Sequence, residues 1–573
     1  GSKRLAKLSE FVGRTDPKGL MNPDKVIGSG GLIGYMMKAA ALTEPIGRFA
    51  GNLFKNKEKS PSGKGKHIPI EVEEHAYACA QCGYCVEDCD EFYGRGWESH
   101  APRGKWYLLR KVVEGKIPLS QELTDRLLSC TTCEMCNNRC PVELPIEPDW
   151  LTLRGSLVQD KGFATFPPFE MMTAALGSQG NIWAGFRKDR SNWVDDEIEA
   201  VLKKDSDNFY FAGCTASYVE QDIAKGTAKL LGEAGVEFDT LGNEENCCGI
   251  PMLMAGKWEA WEKNLRRNVD NFNKAGAKKI VTSCPACWLV WHTLYPQWCE
   301  RLGIPFDFET SHYSEVLSEQ VKAGKLVFDK EVNKKLAWHD SCHMGRAGKI
   351  YEPPRELLKA VPGTDLREMA HNREEALCCG SVLTLINEPD VAADIGKCRL
   401  DEAVECGADA VVAACPCCEF QLRVTADKKK MDVEIHDLAG YLARAKGIEL
   451  PDPNPEVLAS WAVFDAMIRI MTPEGFAGVM KKIFPQLSAA MPAPMRAMVA
   501  VMRWIPEPLR RVAFAPMKPM LPLMFPYLAP GMLKAVMPDM LEIIGGKVPM
   551  PDSMRQLMPA LMPKVMDNLL PHM

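Results

Sequence analysis

The chain has 573 residues, 46% of them hydrophobic and 25% charged, with a formal net charge of -6. That composition suits a globular protein of roughly two to four domains and excludes the basic balance expected of a nucleic-acid binder. Its departures from the ordinary are 22 cysteines and 30 methionines.

The start, "GSKRLAKLSEF", is basic and has no apolar core, so it does not resemble a secretory signal. In a reducing compartment, thiols clustered at short spacing read as metal ligands rather than as a disulfide framework. An apolar patch, "GSGGLIGYMMKAAALTEPIGRFAGNLF", then runs into the soluble linker "KNKEKSPSGKGK". Residues 1–70 therefore read as a docking arm and linker rather than a core.

Residues 71–165 carry two dense cysteine runs. The first, "CAQCGYCVEDC", holds Cys79, Cys82, Cys85 and Cys89; the second, "CTTCEMCNNRCP", holds Cys130, Cys133, Cys136 and Cys140 before Pro141. Both follow the C-x2-C-x2-C-x3-C pattern of two-cluster ferredoxins, whose fourth cysteine crosses to the other cluster. The expected ligand sets are Cys79, Cys82, Cys85 and Cys140 for one cubane [4Fe-4S] cluster, and Cys130, Cys133, Cys136 and Cys89 for its neighbour. Zinc also takes four thiolates, but zinc motifs rarely double a run in this way. Asp90 stands where the first run would carry a proline, a departure that concerns the loop more than the ligands.

Between residues 205 and 445 the chain alternates β-rich and helical patterns, and it repeats. Cys214 to Cys342 is 128 residues, and Cys248 to Cys379 and Cys284 to Cys415 are each 131, so two copies of one module lie in tandem at 205–330 and 331–445. Short β-rich runs end on cysteine in "NFYFAGC", "KKIVTSC", "KLAWHDSC" and "DAVVAAC"; helical patterns such as "VEQDIAKGTAKLLGEAG" and "VAADIGKCRLDEAVECG" follow. The predicted fold is α/β, with two tandem Rossmann-like modules whose cysteines sit at the carboxyl ends of strands, after an α-helical ferredoxin domain. Helix N-termini there would favour anionic sulfur clusters.

Each module supplies five thiols at corresponding places. The first has Cys214, Cys247, Cys248, Cys284 and Cys287; the second has Cys342, Cys378, Cys379, Cys415 and Cys418. A regular cubane needs four, so either one thiol is free for redox chemistry or the cluster is not a regular cube.

Residues 450–573 change texture, with 19 of the 30 methionines and frequent proline. Proline breaks long helices, while flexible thioethers suit adaptable apolar contact, so this tail reads as a surface for docking onto a membrane or another polypeptide. The best spanning candidate, Pro519 to Leu533, is 15 residues long and interrupted by Pro522, Pro526 and Pro530. No transmembrane helix is expected.

The pattern C-x(30s)-CCG-x(30s)-C-x-x-C resembles the cysteine-rich domains of heterodisulfide reductases, here fused to their two-cubane ferredoxin part. The resemblance implies that each five-cysteine set can hold a noncubane four-iron cluster that splits disulfides, giving one or two such clusters beside the two cubanes, with Cys342, Cys378, Cys379, Cys415 and Cys418 as the catalytic set. The segments "DCDEFYGRGWESHAPRGKWY", "FPPFEMMTAAL", "FAGCTASYVEQDIA", "WHDSCHMGRAGKIYEPPREL", "CCGSVLTLINEPDVAADIGK", "CPCCEFQLRVTADKK" and "LMPKVMDNLLPHM" resemble, more narrowly, the DsrK family of HdrD-like subunits. That likeness implies a peripheral subunit on the cytoplasmic face of the inner membrane, in a sulfite-reduction complex of DsrMKJOP type. It would take electrons from a menaquinol-oxidising, DsrM-like cytochrome b partner and reduce the trisulfide or disulfide of the sulfur carrier DsrC. The five-cysteine motif alone is shared with subunits of lactate, glycolate and glycerol-3-phosphate oxidoreductases, which pair with flavin dehydrogenases, and a passive electron relay would need no substrate at all.

Four cysteines fall outside the motifs. Cys299, Cys398 and Cys406 read as buried inert thiols, and Cys417 as an alternative ligand second to Cys418, which keeps the C-x-x-C spacing. His339, Asp340 and His343 flank Cys342; they either satisfy the backbone at a strand end, the favoured reading, or supply a proton to a departing thiolate. Trp288, Trp291 and Trp298 read as core or interface aromatics, and "DKKKMD" as a solvated face.

Overall fold

The computed structural model describes residues 68–381 and 388–470, with isolated positions between 493 and 506. The docking arm and most of the methionine-rich tail expected from the sequence lie outside the described residues. No described helix is long and apolar enough to cross a membrane.

The cysteine-dense segment is helical: α1 (Ile70–Ala78), α2 (Tyr84–Glu87), α3 (Asp90–Arg95), α4 (Pro102–Val113), α5 (Gln121–Leu128), α6 (Met135–Arg139) and α7 (Ile146–Gly155). α4 starts on Pro102, whose missing N–H costs nothing in a first turn, and the Ser120 hydroxyl accepts from Leu123 N at 3.3 Å to begin α5. Val72, Ala76, Trp106, Leu109, Trp150 and Leu153 form a small core, with the Trp106 and Trp150 rings 4.5 Å apart. A core of this size leaves much of the domain's order to what the cysteines bind.

The first repeat forms a parallel sheet in the order β1 (Asn208–Phe211), β2 (Lys279–Thr282), β3 (Glu309–His312). A parallel bridge from Phe209 to Asp239 lies on the outer side of β1. The second repeat forms a parallel sheet of β4 (Lys334–Trp338), β5 (Thr364–Arg367), β6 (Ala410–Ala413) and β7 (Glu434–Asp437), in the order β5-β4-β6-β7. Counting the Asp239 bridge, both sheets follow one plan, as a tandem repeat requires.

Helices of the two repeats pack crosswise. α8 (Cys214–Tyr218) and α9 (Gln221–Glu233) follow β1; α10 (Ile250–Met254) and α11 (Trp258–Lys274) precede β2; α12 (Pro285–Leu289) and α13 (Tyr313–Lys322) follow β2 and β3. In the second repeat α14 (Glu352–Ala360), α15 (Pro389–Glu405), α16 (Pro416–Lys429) and α17 (Leu438–Lys446) take the corresponding places, and α18 (Asn454–Ile470) packs on α16. α9 packs on α17 and α13 on α14, so the first long helix of each repeat meets the last helix of the other. The modules are thus related by an approximate two-fold exchange, which turns the carboxyl ends of both sheets toward a common centre. The helical domain touches both modules, through α3 on α15 and α7 on α10.

Candidate functional site

In the helical domain the fold brings the cysteines together in two sets. Cys79 and Cys85 lie close enough to Cys82 and Cys140 for those thiols to raise their proton affinity, and burial, with that crowding, pushes the Cys85 thiol up to about 12. Cys89 lies beside Cys130 and Cys133, and Cys136 beside all three. Each run therefore sends its fourth cysteine to the other run's set. The loops are set by unusual backbone: Gln81 and Thr132, at matching places in the two runs, have φ of 55° and 56°, and Gly83 and Glu134 have 90° and 62°. Left-handed conformations at non-glycine residues are held only where the surroundings demand them. The Gln81 amide donates to Cys79 Sγ at 3.3 Å, and Thr132 N and Leu144 N donate to Cys130 Sγ and Cys140 Sγ at 3.5 and 3.4 Å.

The Asp90 substitution has a definite role. Its carboxylate is buried, accepts from Glu91 N at 2.9 Å, and accepts from the Thr131 hydroxyl in the opposite run. No local pattern pairs these two residues, which lie 41 positions apart.

The ten module thiols converge. Cys214 Sγ lies 3.3 Å from Cys247 Sγ, Cys284 meets Cys415 across the module boundary, and Cys379 meets Cys418. Members of both sets line one largely apolar cavity of about 70 Å³, which Cys417, Ser341 and His343 also border. The CCG glycine explains itself: Gly249 and Gly380 have φ of 85° and 90°, and each turns its N–H back to the first cysteine of the pair, at 3.4 Å from Cys247 Sγ and from Cys378 Sγ. A Cβ on Gly380 would lie 2.7 Å from the Ala392 carbonyl oxygen, so no side chain fits there.

Polar partners clamp the backbone rather than the sulfurs. Asn264 and Asn268 donate to the Cys247 carbonyl at 2.8 and 2.9 Å, and the Tyr295 hydroxyl to that of Cys248 at 2.7 Å. Asp340 receives both Arg355 NH groups at 2.7 and 2.8 Å and Arg373 N at 2.7 Å, which fits the favoured reading of a strand-end anchor. His339 is different. It is buried, its Nδ1 accepts from Arg399 Nε at 3.1 Å, and one of its ring nitrogens lies with the sulfurs of Cys379 and Cys418 in a group of possible ligand atoms within 4.8 Å of one another. Burial holds its imidazole below the usual histidine range.

Arg346, which sequence reasoning missed, joins the two parts of the site. Its Nε donates to the Cys133 carbonyl at 2.6 Å, and it faces the thiols of Cys133, Cys342 and Cys378. Cys133 and Cys378 themselves meet side chain to side chain. On the other flank, Arg154 donates to the carbonyls of Cys130 and Met254, each at 3.0 Å. Only the lone arginine in "CHMGRAG" could have hinted at the first contact, and its partner lies 213 positions away.

Of the remaining cysteines, Cys299 is buried as expected, but Cys398 and Cys406 are half-buried. Their thiols bond back to the carbonyls of Asp394 and Ala403, a helical turn earlier, at 3.5 and 3.2 Å. Trp291 is fully buried in the first module's core and Trp288 nearly so, with Trp298 packed against that core.

All the cysteines are free thiols. Buried thiols grouped in fours and fives, with no disulfide, suit polynuclear iron: a group that supplies positive charge offsets the desolvation of several adjacent thiolates. The donor set therefore fits iron-sulfur clusters in both the helical domain and the modules.

Comparison with known proteins agrees with this chemistry. A cysteine-rich domain family matches residues 209–290 and 336–423, and a 4Fe-4S dicluster domain family matches residues 78–145. The chain is 31% identical over 411 residues to the HdrD-type polypeptide of the dihydromethanophenazine:CoB–CoM heterodisulfide reductase of Methanosarcina mazei, covering 68% of this chain and 99% of that protein. It is 27% identical over 426 residues to the EtfAB:quinone oxidoreductase of Syntrophomonas wolfei, covering 64% of this chain and 58% of that one. A polypeptide of the fumarate reductase (CoM/CoB) of Methanothermobacter marburgensis is 24% identical over 377 residues, covering 64% and 72%.

Proposed function

The chain belongs to the HdrD-like family of heterodisulfide reductase subunits, and from that premise we propose that it is the iron-sulfur subunit that reduces a protein-bound sulfur-sulfur bond. It is an α/β iron-sulfur oxidoreductase with a helical 4Fe-4S domain and two cysteine-rich modules. In this reading Cys79, Cys82, Cys85 and Cys140 hold one cubane, and Cys89, Cys130, Cys133 and Cys136 the other. Cys214, Cys247, Cys248, Cys284 and Cys287 hold a noncubane cluster in the first module, and Cys342, Cys378, Cys379, Cys415 and Cys418 hold one in the second, which is the catalytic set. When bound, the clusters supply single electrons in sequence and a soft metal surface for substrate sulfur.

The observation that carries the reading is the convergence of nine of the ten module thiols on one apolar cavity, with Cys284 against Cys415 and the tenth, Cys378, turned toward Cys133. A substrate S–S bond placed there lies between two electron sources. Reduction of a disulfide breaks that bond with two electrons and two protons and leaves two thiols; a trisulfide takes two such steps, the first leaving a thiol and a persulfide and the second a thiol and H2S. The apolar lining keeps water from the nascent thiolates, the Asn264, Asn268 and Tyr295 clamp holds the Cys247–Cys248 turn rigid, and Arg346 fixes the Cys133 loop against Cys378.

The finer assignment rests on the DsrK-like segments of the sequence. The electron source is a menaquinol-oxidising membrane complex with a DsrM-like cytochrome b, and the substrate is the DsrC trisulfide or disulfide. The chain then sits peripherally on the cytoplasmic face of the inner membrane, joined through its partners and its tail. The test uses the anaerobically reconstituted full chain with reduced viologen as donor. Addition of DsrC trisulfide should oxidise viologen, release thiols and produce a new paramagnetic signal. Cys378→Ala and Cys379→Ala should each abolish this while the cubane signals remain; full turnover in both variants ends the proposal.

A further inference from the structure

Beside the thiol cavity, in the seam between the modules, four carboxylates are packed around one guanidinium. Glu220, Glu419, Asp437 and Asp222 are all buried, at 0%, 0%, 2% and 5% exposure, and Arg423 at 7%. Glu220 is the residue before α9 and Asp222 lies in its first turn; Glu419 and Arg423 lie on α16, and Asp437 ends β7. A single cation cannot balance four ionised carboxylates in a desolvated seam, so protons must reside among them.

Hydrogen bonding says the same. No donor reaches either oxygen of Glu220 or of Glu419, nor Asp222 Oδ1 or Asp437 Oδ2. The nearest cation, Arg423 Nε, is 3.7 Å from Glu220 Oε1. Glu419 and Asp437 face each other. The buried ring of Tyr313 faces this pair as well.

A purely structural role for these acids would be helix capping. Asp437 does cap α17, accepting from Ala439 N at 2.6 Å and Gly440 N at 3.2 Å. Glu220 does not: its side chain makes no cap on α9.

The cluster spans the gap between two cavities. On one side Asp222, Arg423 and Asp437 line a polar cavity of about 680 Å³. On the other, Glu220 acts electrostatically on Cys417, which borders the thiol cavity. Glu220 and Glu419 line neither cavity and stand between them.

The two-fold exchange shows that this connection is not imposed by the fold. Glu220 follows Cys214 by six residues and Glu419 follows Cys415 by four; the corresponding positions in the other module are Gly348 and Trp288. There the indole occupies the space, and a Cβ on Gly348 would lie 2.7 Å from Trp288 Cζ3. One side of the seam is sealed with an aromatic ring, and its counterpart is filled with acids.

We infer that Glu220, fed through Asp222 from the polar cavity, delivers protons to the thiol cavity during sulfur-sulfur bond reduction. This rests on the proposed reductase function. The balance is R–S–S–R′ plus two electrons from the donor plus two protons giving R–SH and R′–SH. The electrons arrive past Cys133, which meets Cys378, and the protons past Glu220, which acts on Cys417. Glu220 loses a proton toward a nascent thiolate and regains one from Asp222, which exchanges with water in the polar cavity.

The test compares the wild-type holoprotein with Glu220→Gln and Asp222→Asn, which keep shape and remove the acid. Redox-difference infrared spectra of the wild type should contain a protonated-carboxyl C=O band that shifts in D2O; Glu220→Gln should lose it. Cluster signals and the rate of their reduction by viologen should be unchanged, while turnover with the trisulfide falls at least tenfold in Glu220→Gln and less in Asp222→Asn. If both variants keep the wild-type band and wild-type turnover, the proton route is wrong. If the wild type shows no sulfur reductase activity yet Glu220→Gln abolishes its redox-linked carboxyl band, the relay stands and the substrate assignment falls. A wild type without any such band overturns the relay whatever its activity.

Discussion

Arg346 Nε donates to the carbonyl oxygen of Cys133 at 2.6 Å, tying the second ferredoxin run to the second cysteine-rich module. The same guanidinium donates to the carbonyls of Glu374 and Ala376, just before the Cys378–Cys379 pair. It therefore sets the spacing between the two groups of sulfurs. Arg346→Met should leave the carbonyls of Cys133 and Ala376 short of a donor, while that of Glu374 keeps Asn138 Nδ2, and cost roughly 2 kcal/mol, about 1 kcal/mol or more per orphaned group, read as a fall in the thermal midpoint of the holoprotein. Iron content should be unchanged, but electron transfer from the cubanes to the module should slow, as seen by rapid-freeze paramagnetic resonance. Arg346→Lys should recover charge and little else, since one ammonium cannot serve three carbonyls in a fixed fork.

The grouping of thiols makes the crossed ligation directly testable. Cys140→Ser should deplete the same cluster as Cys79→Ser, although Cys140 belongs to the other run, and Cys89→Ser should match Cys133→Ser. Each variant should lose about four irons per chain, at four per cluster. Metal analysis with paramagnetic resonance reads the outcome; Cys140→Ser pairing with Cys133→Ser would reverse the assignment.

Much of this was legible because cysteine spacing is local and the repeat is periodic. The strand runs before Cys214, Cys284, Cys342 and Cys415 are β1, β2, β4 and β6, and Gly407 ends its helix with φ of 76°. What stayed hidden depends on long-range pairing. Nothing near Arg346 names Cys133, and nothing near Glu220 names Arg423. Glu220 sits in "SYVEQDIA", where an acid before a helix reads as a dipole partner; its burial appears only when α9 meets α17. The burial expected of Cys398 and Cys406 was overstated for the opposite reason, since thiols in an amphipathic helix can lie along its flank.

The join between α7 and the first module should be intolerant of volume. A Cβ on Gly155 would fall 1.9 Å from Trp258 Cε2, and Trp258 is itself held edge-on by Trp298 at 5.6 Å. Gly155→Ala must displace the indole, at a cost of about 2–3 kcal/mol for overpacking. Thermal unfolding of the holoprotein should show the drop. Trp258→Leu in the same chain should restore part of it, because the smaller side chain vacates the clash.

The acid cluster predicts an unusual pH dependence of stability. Burial and the neighbouring Asp437 raise the Asp222 carboxyl to about 7, and burial raises Asp437 to about 6. Both lie above the ordinary aspartate value of about 4 in an unfolded chain. Between those limits the native state binds more protons than the unfolded state, so stability falls as pH rises through that window and is flat below it. The cost above pH 7 comes from ionising carboxylates in a desolvated seam with only Arg423 to offset them. Asp222→Asn removes one such charge without changing shape. It should therefore be close to wild type at about pH 4 and below, and more stable by a few kcal/mol at about pH 8, measured as the difference in thermal midpoint between variant and wild type at each pH. An Asp222 that ionised normally would give the variant the same relative stability at both pH values, and the seam would then hold its charges by solvent the cavity admits rather than by bound protons.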